Sequence, residues 1–77
     1  MKEVLEYVAK ALVDEPDAVE VTEIEGDGTV ALKLRVAPDD MGKVIGKRGR
    51  TIRAIRSVVR AAGSLQGIST MVEIVEE

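Results

Sequence analysis

Cysteine and histidine are both absent from this 77-residue sequence, and its single tyrosine is the only aromatic residue. The lack of thiols and imidazoles excludes a disulfide framework and argues against a structural zinc site or a histidine-based catalytic triad. With one aromatic side chain, the sequence also has no platform of rings on which nucleobases could stack. The N-terminal residues include acids and no long apolar run, so we expect neither a signal peptide nor a membrane-spanning helix.

Acidic and basic residues are separated along the chain, although the net charge is only −3. Residues 1–40 hold 11 acids and four bases, residues 41–72 hold seven bases and no acid, and three glutamates follow. Because salt screens a charge over roughly 8–10 Å, a basic segment can attract an anion whatever the charge of the whole chain. The segment 41–72 is therefore the candidate surface for a polyanion.

The spacing of apolar residues predicts the element order α-β-β-α-α-β in one small domain. The expected elements are a helix over 2–14, strands over 19–25 and 29–36, a short helix from 38 to about 46, a helix over 50–62 and a strand over 70–75. The first two strands should form a hairpin, and the helical crossover should make the last two strands parallel. We expect an α+β fold, a mixed three-stranded sheet with helices on one face.

Three local features refine these boundaries. The alternation slips at Glu23-Ile24, which leaves room for a bulge or a twist in the first strand. Asp39 and Asp40 are expected to cap the short helix at its N-terminus, where a carboxylate accepts free N–H groups. Gly63 and Ser64 are expected to end the last helix, leaving a loop over residues 63–69.

The segment Val44-Ile-Gly-Lys-Arg-Gly-Arg-Thr-Ile-Arg53 is the most informative motif in the chain. Gly46 and Gly49 allow a tight turn and a close backbone approach, and Lys47 and Arg48 lie between them. The turn should also place the free N–H groups at the start of the next helix beside these cations, an arrangement that attracts phosphate. A simple helix–helix turn with solvated cations is the alternative interpretation of the glycine spacing. A P-loop is excluded, because one residue is missing between the glycines and Arg48 replaces the required Ser or Thr.

The motif and the element order together resemble the GXXG signature of KH domains of type II, and over the whole chain the stand-alone bacterial KH proteins of the KhpA type. The resemblance implies a non-catalytic, cytoplasmic, single-stranded-RNA-binding protein of low sequence specificity, without cofactor or metal, and with a possible role as an RNA chaperone or post-transcriptional regulator. In KH domains the GXXG loop clamps about four nucleotides by their backbone. The implied partners are RNA and either a second copy or a larger KH protein of the KhpB/Jag type, and residues 63–69 would be the variable loop. Carried over by position, the RNA-binding residues are Lys43, Ile45, Gly46, Lys47, Arg48, Gly49, Arg50, Ile52 and Arg53.

The helix after the glycine loop carries more apolar surface than one core contact needs. Ile52, Ile55, Val59 and Ala62 can supply the core, which leaves a flank of Ala54, Val58 and Ala61 for a two-fold dimer contact. Such a flank favours the alternative function of a protein-interaction adaptor in a homodimer or heterodimer. The simpler interpretation is that alanine is a good helix former and Val58 is peripheral core.

Arginines 53, 56 and 60 form a stripe on another side of the same helix. The stripe is either part of an anion-binding surface or an ordinary solvated face, and its lack of acids favours the first interpretation. No pairing of nucleophile and base suggests itself, so we do not expect an enzyme.

Overall fold

The computed structural model describes residues 1–75 and has the predicted order of helices and strands. Two 3-10 turns, Pro16–Ala18 and Pro38–Asp40, precede the first strand and the second helix. The elements are α1 (Lys2–Leu12), β1 (Glu20–Gly26), β2 (Thr29–Arg35), α2 (Met41–Ile45), α3 (Arg50–Leu65) and β3 (Ser69–Ile74).

The sheet has the strand order β1-β2-β3. Strands β1 and β2 are antiparallel and β2 and β3 are parallel, as the hairpin and the helical crossover predict. The register of β1 on β2 is continuous, so of the two alternatives at Glu23-Ile24, a bulge or a twist, the bulge is wrong. Ile24 lies opposite Ala31 on the solvent face, where its side chain is half exposed. The break in the alternation is thus due to an isoleucine on the solvent face, and β1 contains no extra residue relative to β2.

The helices cover one face of the sheet and leave the other face open. On β2 the side chains of Val30, Leu32 and Leu34 are buried, whereas the alternate residues Lys33 and Arg35 are exposed. Helix α3 buries Ile52, Ile55 and Val59 in the same core, as the helical spacing predicts, whereas the fourth predicted position, Ala62, is half-buried. Helix α1 adds Leu5 and Ala9. Burial of each large apolar side chain stabilises the fold by about 1.5–3 kcal/mol. The α+β architecture predicted from the sequence is confirmed.

Helix α3 continues past the point where the sequence predicts its end. Gly63 does not stop the helix; it is buried within it, where α3 approaches β3. A Cβ atom on Gly63 would lie 2.6 Å from Thr70 Cγ2 and 2.9 Å from the Ile68 carbonyl oxygen. The glycine is thus required by close helix–strand packing, and the connecting loop is residues 66–68, shorter than the expected 63–69. Helix α1 ends at Leu12, two residues before its expected end.

Asp40 does not cap α2, contrary to the sequence-based expectation. Its carboxylate is buried, with Oδ1 accepting the Asp14 N–H at 3.2 Å and Oδ2 accepting the Glu15 N–H at 3.1 Å. Asp40 therefore ties the end of α1 to the start of α2, across 25 residues of sequence. Asp39, which was also expected to cap, is exposed and makes no cap hydrogen bond to either helical segment it adjoins.

Within residues 1–75, no helix has the length and apolar character needed to cross a membrane.

Replacement of Gly63 by alanine should destabilise the protein, because the new methyl group meets the backbone of Ile68 and the side chain of Thr70. We expect a loss of about 1–3 kcal/mol in the free energy of unfolding, measured by urea denaturation. Gly42→Ala is the matched control, since a Cβ atom there has no neighbour within 4 Å. That variant should gain about 0.5–1 kcal/mol from helix propensity. Equal stability of the two variants would contradict the close-packing role of Gly63.

Candidate nucleic-acid interface

The chain turns sharply between α2 and α3 at the segment Gly46-Lys47-Arg48-Gly49, called here the GKRG loop. Gly46, Arg48 and Gly49 all have positive φ angles, at 77°, 58° and 73°. Arg48 is the only residue other than glycine with a positive φ in the described chain. The N–H of Gly49 donates to the Gly46 carbonyl at 3.1 Å, which closes the turn. Left-handed conformations disfavour residues with a Cβ atom, so the Arg48 backbone costs energy that its surroundings must offset.

Gly46 is packed against the first turn of α3 and leaves no room for a side chain. A Cβ atom there would lie 2.1 Å from Thr51 Oγ1 and 2.8 Å from the Thr51 backbone nitrogen. Gly49 has open space around its Cα, with the nearest atom 3.9 Å away, and is required by its φ angle alone. The two glycines therefore have different physical roles in fixing the loop against the helix.

The tip of the GKRG loop presents positive charge to solvent at the N-terminus of α3. Lys47, Arg48 and Arg50 are exposed, and Gly49 at the N-cap position provides no side chain to occupy the free N–H groups. Arg53 Nη2 donates to the Arg48 carbonyl at 3.0 Å and so supports the left-handed turn from the helix side. Cationic side chains, a helix dipole and sterically open backbone together favour an anion such as a phosphate group.

The structure places Lys43 away from the cations at the loop tip. Its ammonium group is hydrogen-bonded to the Asp14 carboxylate and lies 3.7 Å from Asp40 Oδ1. The hydrogen bond that Lys43 donates to Asp14 is the main reason that the pKa of Lys43 is raised above its usual value. The charge of Lys43 is therefore neutralised by carboxylates of the protein itself. The sequence could not indicate this pairing, because Asp14 is 29 residues away.

The two isoleucines among the predicted RNA-binding residues differ in burial. Ile52 is 6% exposed and belongs to the core, so it can present only its edge to a ligand. Ile45 is half-buried and packs against that core from the end of α2. Of these two predicted RNA-binding residues, Ile45 is thus the more accessible.

Arginines of α3 extend the positive surface beyond the GKRG loop along β3. Arg56 and Arg60, together with residues 70–72, line a cleft of about 280 Å³ between the helix and the outer edge of the strand. Arg56 Nε donates to the Val72 carbonyl at 3.2 Å. The sequence predicts the arginine stripe. It does not predict that the stripe lies beside a strand edge, because the position of β3 relative to α3 is known only from the structure.

On another side of α3, the flank predicted for dimerisation is exposed. The side chains of Ala54, Val58 and Ala61 are all exposed to solvent, and Val58 is 49% exposed. The longer helix adds Leu65, which is 90% exposed. Positions 54, 58, 61 and 65 follow the alternating spacing of four and three residues that forms a helix–helix seam.

A larger cleft of about 540 Å³ lies where β2 and β3 end, and its lining does not include the GKRG loop. It pairs small apolar residues with one acid and one base, Glu20 and Arg35, so its charge does not favour a polyanion.

In the described part of the chain, no group of three or more acidic side chains is placed to hold a metal ion.

The αββααβ order, the mixed sheet with helices on one face and the glycine turn between α2 and α3 define a KH domain of type II. Comparison with protein families narrows this class. The family model described as "KhpA/KhpB, KH domain" matches residues 2–74, and the chain belongs to this family.

Full-length relatives support the assignment. The chain is 52% identical over 75 residues to "RNA-binding protein KhpA" of Clostridium acetobutylicum, covering 97% of this chain and 100% of the relative. It is 53% identical over 75 residues to the protein of that name in Caldanaerobacter subterraneus, with the same coverage. The Aquifex aeolicus protein is 50% identical over 76 residues, covering 99% and 96% of the two chains.

Solved structures show the same fold within a larger protein. Era in complex with MgGDPNP and nucleotides 1506–1542 of 16S ribosomal RNA matches with a TM-score of 0.68 at 21% identity, over 99% of this chain and 30% of Era. Aquifex aeolicus Era bound to GDP.AlF4⁻ matches with a TM-score of 0.64 at 22% identity, over 99% of this chain and 31% of Era. This chain therefore spans less than a third of Era, and the likeness establishes the fold alone.

Replacement of Asp40 by asparagine should destabilise the junction of α1 and α2, because an amide cannot accept both N–H groups and also neutralise Lys43. We expect a loss of about 1–3 kcal/mol in the free energy of unfolding. Asp39→Asn is the matched control: Asp39 is the exposed neighbour, and its replacement should change stability by less than about 0.5 kcal/mol. If urea denaturation gives the two variants the same midpoint, the buried carboxylate does not have this role.

Proposed function

We propose that this chain is a non-catalytic, single-stranded-RNA-binding protein that clamps the sugar-phosphate backbone with its GKRG loop. The observation that carries the proposal is the backbone of the loop. Three of the four loop residues have positive φ, and Lys47 and Arg48 are exposed at the start of α3, with no acid among residues 41–72. Phosphate oxygens can then bind both the cations and the N-terminus of the helix.

The comparisons support RNA as the polyanion. Relatives that match this chain over nearly their whole length carry the name RNA-binding protein. The Era structure that shares the fold was determined with a segment of 16S ribosomal RNA.

The surface favours low sequence specificity. Contacts to phosphate carry no base information, and the more accessible of the two isoleucines beside the loop, Ile45, is itself half-buried. Tyr7, the one aromatic residue, is 79% exposed on α1 and outside the GKRG loop and the α3–β3 cleft. Weak, sequence-tolerant binding of this kind suits an RNA chaperone or a post-transcriptional regulator in the cytoplasm.

Reversal of charge at the loop tip tests the proposal. Lys47→Asp combined with Arg48→Asp should abolish binding of single-stranded RNA at low salt and leave the fold intact, because both side chains are exposed. The control is Lys2→Asp with Lys10→Asp, which makes the same change in net charge on α1. Fluorescence anisotropy with a labelled oligonucleotide measures both variants. Wild-type binding should weaken with salt, with a log–log slope of about −0.7 for each phosphate contacted. Unchanged affinity in the loop variant would overturn the proposal.

A second candidate function is that of a protein-interaction adaptor acting through the exposed flank of α3. The addition of Leu65 to Ala54, Val58 and Ala61 makes a seam of four apolar or small positions on three turns of helix. A second copy of the chain, or a larger KH protein of the KhpB/Jag type, could bury this seam. Two clamps joined in this way would bind one RNA with a higher apparent affinity than either alone.

Val58→Asp should separate the two functions, because a buried carboxylate would destabilise the helix–helix contact. We expect the variant to sediment as a monomer and to keep single-site RNA binding, whereas the wild type sediments as a dimer at high concentration. Ser57→Asp introduces the same charge about 100° around the helix and should leave the dimer intact. A wild-type protein that remains monomeric at high concentration would contradict the homodimer.

A further inference from the structure

Strand β1 is an edge of the sheet, and every second residue on it turns its backbone groups outward. The Leu34 carbonyl accepts the N–H of Val75, so the backbone groups of Leu34 face β3. Because backbone groups alternate in direction along a strand, those of Lys33 face β1, where Thr22 is its register partner. The groups of Thr22 therefore face β2. The residues of β1 whose groups face outward are Val21, Glu23 and Glu25.

This edge lacks the features that usually close the side of a sheet. Strand β1 is seven residues long and contains neither proline nor lysine. Its continuous register excludes a bulge. At the outer edge of β3, by contrast, the Val72 carbonyl is bonded to Arg56 Nε at 3.2 Å. The edge of β1 has the backbone pattern that an added strand uses.

The charge of the edge determines which kind of strand can bind. Strand β1 carries three glutamates and no base. Two of them, Glu23 and Glu25, lie on the same side of the strand as the buried Val21. A second copy of β1, paired antiparallel about Glu23, would bring two Glu23 carboxylates directly opposite each other, which destabilises strand pairing. A strand with lysine or arginine at these positions is attracted instead.

The other side of β1 offers an apolar contact. Ile24 is half exposed on the open face of the sheet. Its neighbours across the sheet are Ala31 and then the exposed Met71. This row ends at the outer edge of β1, so an apolar residue opposite Ile24 would extend the row and remove apolar surface from water. Because successive side chains of a strand point to opposite faces, the favoured strand alternates basic and apolar residues.

We propose that the outer edge of β1 binds an extended segment of another protein in which lysine or arginine alternates with apolar residues. The segment joins the sheet as an additional strand. Its basic side chains lie beside Glu23 and Glu25, and its apolar side chains lie beside Ile24. The edge belongs to residues 1–40, which hold 11 acids and four bases, and not to the GKRG loop. The inference therefore goes beyond RNA binding and does not depend on it.

The first test needs no substitution. A capped peptide of alternating lysine and valine is added to the ¹⁵N-labelled wild type, and amide hydrogen exchange is followed by NMR. We expect exchange at Glu23 and Glu25 to slow by about tenfold or more at saturating peptide, because these amides gain acceptors on the added strand. The amides of Thr22 and Ile24, which face β2, should change little.

A peptide of the same composition, with its lysines and valines in separate blocks, is the control. It has the same charge without the alternation, and we expect it to bind about tenfold more weakly. Equal binding of the two peptides, or unchanged exchange at Glu23 and Glu25 with the alternating peptide bound, would overturn the proposal. Protection of these amides that grows with protein concentration in the absence of peptide would show that the occupant is a second copy, which also overturns it.

The second test compares Glu25→Pro with Glu25→Gln. Both variants lose the same carboxylate, and only proline also removes the outward N–H. An edge strand tolerates proline where the N–H faces solvent, so circular dichroism should show both variants folded. We expect Glu25→Pro to bind the alternating peptide about tenfold more weakly than Glu25→Gln. Equal affinities would show that the backbone of the edge is not used. If Glu25→Pro does not fold, the exchange experiment on the wild type decides.

The loop variant Lys47→Asp/Arg48→Asp separates this site from the proposed clamp. Both substitutions lie outside β1, so this variant should bind the alternating peptide at least as tightly as the wild type. Weaker peptide binding by the loop variant would show that the peptide does not bind at β1. Its binding of RNA tests the clamp alone.

Discussion

The burial of one face of α3 against the sheet determines the direction of every other face of that helix. Ile52, Ile55 and Val59 fix its rotation, and Gly63 allows its C-terminal half to lie directly on β3. With that face buried, the arginines lie along the β3 edge and the small apolar flank lies toward solvent. The N-terminus of the helix receives the GKRG loop. The candidate clamp, cleft and dimer seam are therefore consequences of a single packing arrangement.

Acidic and basic side chains of this protein are separated in space as well as along the sequence. The acids lie outside residues 41–72, yet two of them, Asp14 and Asp40, reach into that region and bind Lys43. One base of the segment is thereby used to hold α2 in place, while Lys47, Arg48 and Arg50 remain exposed. This division leaves a locally positive surface on an acidic chain, and the buried Asp40 carboxylate has Lys43 as its cationic neighbour.

Much of the fold was predictable because it depends on local patterns. Alternation along β2, helical spacing on α3 and the crossover between parallel strands follow from periodicity and handedness, and the structure confirms them. The predictions fail where a contact with a residue far away in the sequence determines the local structure. Gly63 resembles a helix stop until β3 is placed against it, and Asp40 resembles a cap until the N–H groups of Asp14 and Glu15 are beside it. For the candidate site, the glycine motif locates the loop. By contrast, the roles of Lys43, Ile52 and Arg56 depend on contacts across the fold that no local pattern contains.

The central claim is that single-stranded RNA binds along a path from the GKRG loop into the α3–β3 cleft. A titration of the ¹⁵N-labelled protein with a short single-stranded RNA, followed by backbone amide chemical shifts, tests it most directly. The account predicts that the largest shifts fall in residues 46–53 and at Thr70 and Val72, with little change on β1 or the exposed side of α1. Shifts concentrated on β1 or α1, or no shifts in the GKRG loop at saturating RNA, would contradict it.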